Sequence, residues 1–282
     1  MRVLALSVAF LAVAGIGRSQ PHVGEAPTHP PHAIQDNGFL IEEAYNQEEG
    51  VVQHINLFQR DWHTGEWLAT FTQEYPVGGI AHQLSYTASY QRAASSAGTF
   101  SGLGDLALNY RYQLFGNAES KVAVAPRLTL FLPTGRARKG LGAGATGVQI
   151  GLPLSVVLGD DWIMHGNIGG TLTPSARNSR GDKANTQAEY VGGSLIWLGG
   201  AGFDVMLEAL GSRFQEVTGP GRTQTKSSFF LSPGVRWAYD FRSGLQIVPG
   251  IGVPIGLGSS RGQYAVLLYL SFEHPFQTVT SR

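Results

Sequence analysis

Alternation with a period of two, sustained for ten residues or more, constrains this chain more than any other feature. From Ile80 to Tyr90 one parity reads Ile80, His82, Leu84, Tyr86, Ala88 and Tyr90, and the other reads Ala81, Gln83, Ser85, Thr87 and Ser89. Successive side chains of a strand point to opposite faces, so this segment has one apolar face and one uncharged polar face. The stretch from Leu103 to Leu114 repeats the scheme, with Leu106, Leu108, Tyr110, Tyr112 and Leu114 on one side and Asp105, Asn109, Arg111 and Gln113 on the other. Strands of globular sheets run to about five or six residues, whereas one crossing a membrane needs about nine to eleven.

Read along the chain, the pattern predicts strands near 50–59, 65–76, 80–91, 103–115, 121–133, 146–158, 162–173, 187–198, 202–214, 227–239, 244–256 and 263–276. The connections alternate. Short ones fall at Pro76–Gly79, Gly116–Ser120, Gly159–Asp161, Gly199–Ala201 and Asp240–Ser243, and long ones around 92–102, 134–145, 174–186 and 215–226. An even number of strands, short turns on one side and long loops on the other predict an all-β transmembrane antiparallel up-and-down barrel of about twelve strands, with both termini on the short-turn, periplasmic side. Aromatics such as Trp67, Tyr75, Trp162, Trp197, Trp237, Tyr239, Tyr264 and Phe276 stand where interfacial girdles are expected. A soluble β-sandwich is the competing architecture. There the apolar parities, such as Val148, Ile150, Leu152, Leu154, Val156 and Leu158, would meet each other instead of lipid.

Composition agrees where it bears on the point. Charged residues make up 14% of the chain, against about 25% in a soluble domain. The 20 basic and 20 acidic residues balance, which leaves no field to draw nucleic acid. Cysteine is absent, which excludes disulfides, thiolate chemistry and a lipoprotein anchor on cysteine. Met1-Arg2, the apolar run Val3–Ile16 and the small residues Gly17 and Ser19 read as a signal peptide, residues 1–19, with export to the outer membrane of a Gram-negative bacterium. The run is too short for a membrane helix, which needs about 20 apolar residues. Residues 20–49 then form a flexible N-terminal segment that could serve as a periplasmic plug, 50–276 the barrel and 277–282 a C-terminal tail. His22, His29 and His32 lack further ligands at metal-binding spacing, so no metal and no cofactor are expected.

The resemblance to a known family rests on four segments: FLIEEAYNQEEGVVQHI (Phe39–Ile55), GLGDLALNYRYQL (Gly102–Leu114), APRLTLFLPTG (Ala125–Gly135) and VQIGLPLSVVL (Val148–Leu158). The chain resembles the transporter-like outer-membrane barrels grouped as the MetA-pathway phenol-degradation family. That resemblance implies a barrel sometimes associated with aromatic or other hydrophobic compounds. The last strand, ending Phe272-Glu273-His274-Pro275-Phe276, resembles the C-terminal signal read by the outer-membrane assembly machinery.

On the parity assignment the ionisable residues facing the lumen are Glu66, Glu74, Asp105, Arg111, Arg127, Glu189, Asp204, Glu208 and Arg236. Interleaved signs favour cross-lumen pairs over an ion-selective ring. Twelve strands lie between a side-chain-filled barrel and an open porin, which predicts a narrow or plugged lumen. Glu42, Glu43, Tyr45, Asn46, Glu48 and Glu49 precede the first strand and are expected to enter the periplasmic mouth, with their carboxylates meeting Arg111, Arg127 or Arg236. Arg136, Arg138 and Lys139 in an outer loop are candidates for lipopolysaccharide phosphates, although a hydrated loop accounts for them as well. No G-X-S-X-G elbow, H-E-X-X-H pair, P-loop or dinucleotide fingerprint occurs. The function expected is therefore a channel or transporter for small molecules rather than an enzyme, in contact with outer-membrane lipid. A non-transporting structural barrel and a barrel-type hydrolase built around His165 are the alternatives.

Overall fold

The computed structural model describes residues 34, 36–200 and 202–276; the expected signal peptide, the three leader histidines and the expected C-terminal tail lie outside the described residues. Among these residues the long alternating segments form a closed antiparallel barrel of twelve strands. They are β1 (Val51–Asp61), β2 (Trp67–Pro76), β3 (His82–Ser95), β4 (Gly98–Leu103 and Leu106–Tyr112), β5 (Val122–Val124 and Arg127–Leu132), β6 (Gly147–Val157), β7 (Trp162–Arg177), β8 (Lys183–Leu198), β9 (Phe203–Gly219), β10 (Arg222–Trp237, then Tyr239–Asp240), β11 (Gln246–Gly252 and Ile255–Gly256) and β12 (Ala265–Pro275). Each strand pairs with its neighbour in sequence, and β12 pairs with β1 from Val51–Pro275 to Asp61–Ala265. No edge is left for another chain to extend.

The exterior is the apolar face. Ile150 is 65% exposed and Leu172 61%, whereas Arg111 and Arg236 are each 1% exposed. This inverts the partition of a soluble domain and excludes the sandwich, in which such apolar faces would bury one another. On β8 the outward residues Trp197, Leu195 and Val191 give way to Glu189, and on β9 the outward Phe203, Val205 and Leu207 give way to Arg213. Glu189 and Arg213 face each other in register and mark one rim of the band. A tilted run of that length matches the apolar layer of roughly 25 Å that outer-membrane barrels expose.

Two expectations are corrected. Most of the predicted long loops are strand: β3 and β4, β7 and β8, and β9 and β10 extend into hairpins closed by turns at 96–97, 178–182 and 220–221. Above the apolar band both faces meet water, so residues such as Asn185, Gln187, Gln215, Thr223 and Gln224 carry no alternation to read. Glu189 is outward and exposed, not in the lumen; Tyr190, Ser194, Ile196 and Leu198 hold the inner parity of β8. That inner face is partly apolar because of what fills the barrel, so polarity alone assigns it to the wrong side.

Candidate functional site: an occupied lumen

The chain before β1 lies inside the barrel. Ile34 and residues 36–47 are buried, although their composition reads as flexible, and Glu48 and Glu49 emerge toward the turn that starts β1. The segment forms no strand ladder. Its backbone groups are taken up by polar side chains of the wall, supplied by successive strands in reverse order. Arg236 of β10 donates to the carbonyls of Ile34 (2.9 Å), Asp36 and Asn37 (2.5 Å). Glu208 of β9 accepts from the amides of Leu40 (2.9 Å) and Ile41 (3.1 Å). Asn167 of β7 both accepts from the amide of Glu42 (2.7 Å) and donates to its carbonyl (2.8 Å). Ser155 of β6 accepts from the amide of Ala44 (2.7 Å). Gln113, just past β4, accepts from Asn46 N–H (2.9 Å) and donates to Ala44 carbonyl (2.8 Å), and Gln83 of β3 accepts from Gln47 N–H (2.6 Å). The segment thus makes a turn around the inner wall, and a buried backbone that would otherwise lose its hydrogen bonds keeps them.

Apolar packing seats it. Phe39 lies over Gly234, Gly250 and Gly252, where an added Cβ would come within 2.6, 2.5 and 2.9 Å of its ring. Glycine alone allows that approach. Phe39 also packs against Tyr269, with ring centroids 5.3 Å apart. Ile34, Phe39, Leu40 and Ile41 join wall residues Ile55, Leu57, Ile163, Ile196, Met206 and Leu267 in one buried cluster. The lower lumen is therefore a protein core between two parts of one chain, not a wet pore.

Charge is distributed to match. Glu42 forms a buried ion pair with Arg127, whose other terminal nitrogen donates to Gln149 Oε1 (3.1 Å). Arg111, beside Arg127 in the β4–β5 register, donates through Nε to Asn46 Oδ1 (2.9 Å) and through its terminal nitrogens to the carbonyls of Glu43 (3.3 Å) and Tyr45. Arg236 pairs with Asp204 (2.8 Å). Asp36 accepts from Tyr269 Oη (2.5 Å), Gln53 Nε2 (3.2 Å) and Ser271 Oγ. Burial pushes the carboxyls of Asp36 and Glu42 up from their ordinary range, and that of Glu43 well up.

The other predicted lumen residues have narrower roles. Glu74 accepts from Gln83 Nε2 (2.7 Å). Glu66 accepts from the amide of Ala94, and Asp105 accepts from the amides of Gly135 (2.9 Å) and Ala143 (2.7 Å), fastening the outer loops. The alternating pattern does not single out Asp36, Phe39, Gln83, Gln113, Ser155, Asn167 or Tyr269 as site residues. The available signal was the glycine run on inward positions of β10 and β11, which implies a close neighbour on the inside.

Above this segment the lumen opens as a cavity of about 720 Å³ toward the hairpin end. Thr70, Thr87, Asn109, Thr129 and Thr171 line it, with Leu68, Phe131 and Phe214 as apolar elements and Arg127 at its lower limit. Ser155 Oγ and His165 Nδ1 are 2.7 Å apart, a spacing suited to a nucleophile and a base. Both are buried beneath the N-terminal segment, Ser155 is engaged with Ala44, and Asn167 is turned to the backbone of Glu42 rather than to the imidazole.

Architecture and lumen together define a porin-like outer-membrane channel fold. No family model matches the chain, and no curated protein matches it. Among solved structures, the COG4313 outer membrane channel from Pseudomonas putida F1 is similar with a TM-score of 0.57 and 13% identity, covering 82% of this chain and 97% of that one. The NanC porin gives a TM-score of 0.54 and 9% identity, covering 78% and 98%. At these identities the likeness establishes the fold.

Proposed function

We propose that the protein is an outer-membrane channel for small solutes whose periplasmic half is closed by its own N-terminal segment, residues 34–47. The observation that carries this is the succession of wall side chains, from Arg236 around to Gln83, that receives the backbone of that segment. A barrel with a purely structural role would have no need of a removable filling held by side chains instead of by a strand ladder. Export by the signal peptide, insertion by the assembly machinery acting on β12, and surrounding lipid and lipopolysaccharide belong to the same reading. The outward apolar band supports it. The wider likeness to channel folds is compatible with it.

The cavity favours an amphipathic solute, because hydroxyls and amides share its wall with apolar side chains such as Leu68, Phe131 and Phe214. A hydrophobic or aromatic solute draws its support from the family resemblance and from those three side chains. Catalysis is disfavoured, since Ser155 is spent on the plug and both Ser155 and His165 are buried beneath it. Liposome swelling with sugars, amino acids and aromatic acids separates these readings. Entry of small polar solutes at rates above protein-free vesicles is the expected result. Recovery of the protein in the soluble periplasm, or a barrel that admits no solute even after its N-terminal segment is deleted, would overturn the proposal.

A further inference from the structure

Arg127 belongs at once to the plug and to the cavity. Its side chain is 3% exposed, it pairs with Glu42 of the plug below, and it lines the cavity above. The acidic residues of the same wall are committed elsewhere: Glu66 accepts from the β3 amide of Ala94, Asp105 from loop amides, Asp61 from the amides of His63 and Thr64, and Glu216 pairs with Lys226 at 2.6 Å. Arg111 stands next to Arg127 in register and is committed to the plug, through Asn46 Oδ1 and the carbonyls of Glu43 and Tyr45. One step further toward the hairpin end, Thr129 Oγ1 donates to Asn109 Oδ1 (2.8 Å) and Gln149 Nε2 donates to Thr171 Oγ1 (2.8 Å), placing hydroxyls and amides beside the arginine.

From this placement we infer that a small carboxylate-bearing solute opens the plug by replacing Glu42 on Arg127. The inference rests on the channel reading above and names its solute class. Withdrawing Glu42 alone breaks a buried ion pair by removing one of its members, which is strongly unfavourable. A carboxylate arriving from the cavity keeps Arg127 paired, through the same planar donors that suit any carboxylate. It thereby removes the electrostatic barrier to release of the plug. A neutral solute of equal size leaves that barrier in place. Solute binding and plug release are then linked, and each strengthens the other by the same factor.

The test uses the full chain in planar bilayers, with gluconate and sorbitol added on the cavity side as probes: they share a polyhydroxy chain and differ in the carboxylate. Gluconate is expected to raise the open probability about tenfold, within the usual range of coupling between sites, and sorbitol to leave it unchanged. Glu42→Gln is expected to be open without gluconate and to gain little from it. Arg127→Gln is expected to lose the response, and Arg127→Lys, which keeps the charge without the fork, to retain a weaker one. Heat-modifiable migration checks that each variant is folded, and Glu42→Gln with Arg127→Lys suffices if Arg127→Gln does not fold. Equal opening by sorbitol, or a response of wild-type size in Arg127→Gln, overturns the inference. Absence of any gluconate response in a channel that deletion of residues 20–49 does open also overturns it, while leaving the channel reading intact; a deletion that opens nothing overturns the channel reading instead.

Discussion

Phe39 shows how single residues specify the closed lumen. Three wall glycines leave a recess that its ring fills, and truncating a buried phenylalanine to alanine costs about 3–5 kcal/mol where the site cannot collapse. Phe39→Ala is therefore expected to speed hydrogen exchange at the amides of residues 36–47 while β1–β12 keep their protection. Unchanged protection of the segment would show that the recess does not seat it. Glu43 supplies a second residue-scale prediction. Burial raises its carboxyl well above 4.5, with the charges of Asp36 and Glu74 adding to that and Arg236 and Arg111 opposing it. The seated segment keeps this proton above about pH 4.5, where a released one gives it up, so seating is strongest below that pH and weakens as pH rises. Open probability is expected to climb as pH rises above about 4.5, and Glu43→Gln to flatten the profile. A profile that falls with pH contradicts the assignment.

At the scale of strands, the apolar band makes a sharp distinction between positions of equal exposure. Leu207 lies outward on β9, near the middle of the run from Phe203 to Arg213, whereas Glu189 stands at the rim opposite Arg213. An arginine at the bilayer midplane of such a barrel costs roughly 2–4 kcal/mol, and a charge near the rim about 0–1. Leu207→Arg is accordingly expected to lower the urea concentration at which the barrel unfolds in lipid vesicles, and Glu189→Gln to leave it in place; equal effects would misplace the band. The same band explains what was legible. The strands emerge from the sequence where one face is apolar, as from His82 to Tyr90, and disappear where both faces are wet, as from Gln215 to Gln224. Glu189 reads as inward on the rule that a carboxylate belongs in a lumen, whereas the inner face of β8 presents Ile196 and Leu198 to the plug. The charged partners Glu42 and Arg127 stand out in the sequence. Gln83, Gln113, Ser155 and Asn167 do not, since a neutral residue that receives a backbone amide looks like any other polar wall residue.

In the whole molecule, one chain builds both a barrel and the segment that fills its lower half. The barrel needs no contribution from the plug to satisfy its strand ladder, because β1 and β12 close it by themselves. The plug needs the barrel, because wall side chains take up most of the hydrogen bonds its backbone makes. This asymmetry permits one part to leave while the other stays folded. The most direct test is single-channel conductance of the intact chain compared with a variant lacking residues 20–49, both verified as barrels by heat-modifiable migration. The intact protein is expected to be closed or to open briefly, and the deletion variant to conduct steadily through the vacated lumen. Equal conductance in the two would contradict the account, because it would mean that the segment buried among Arg236, Glu208, Asn167 and Arg111 does not stand in the path.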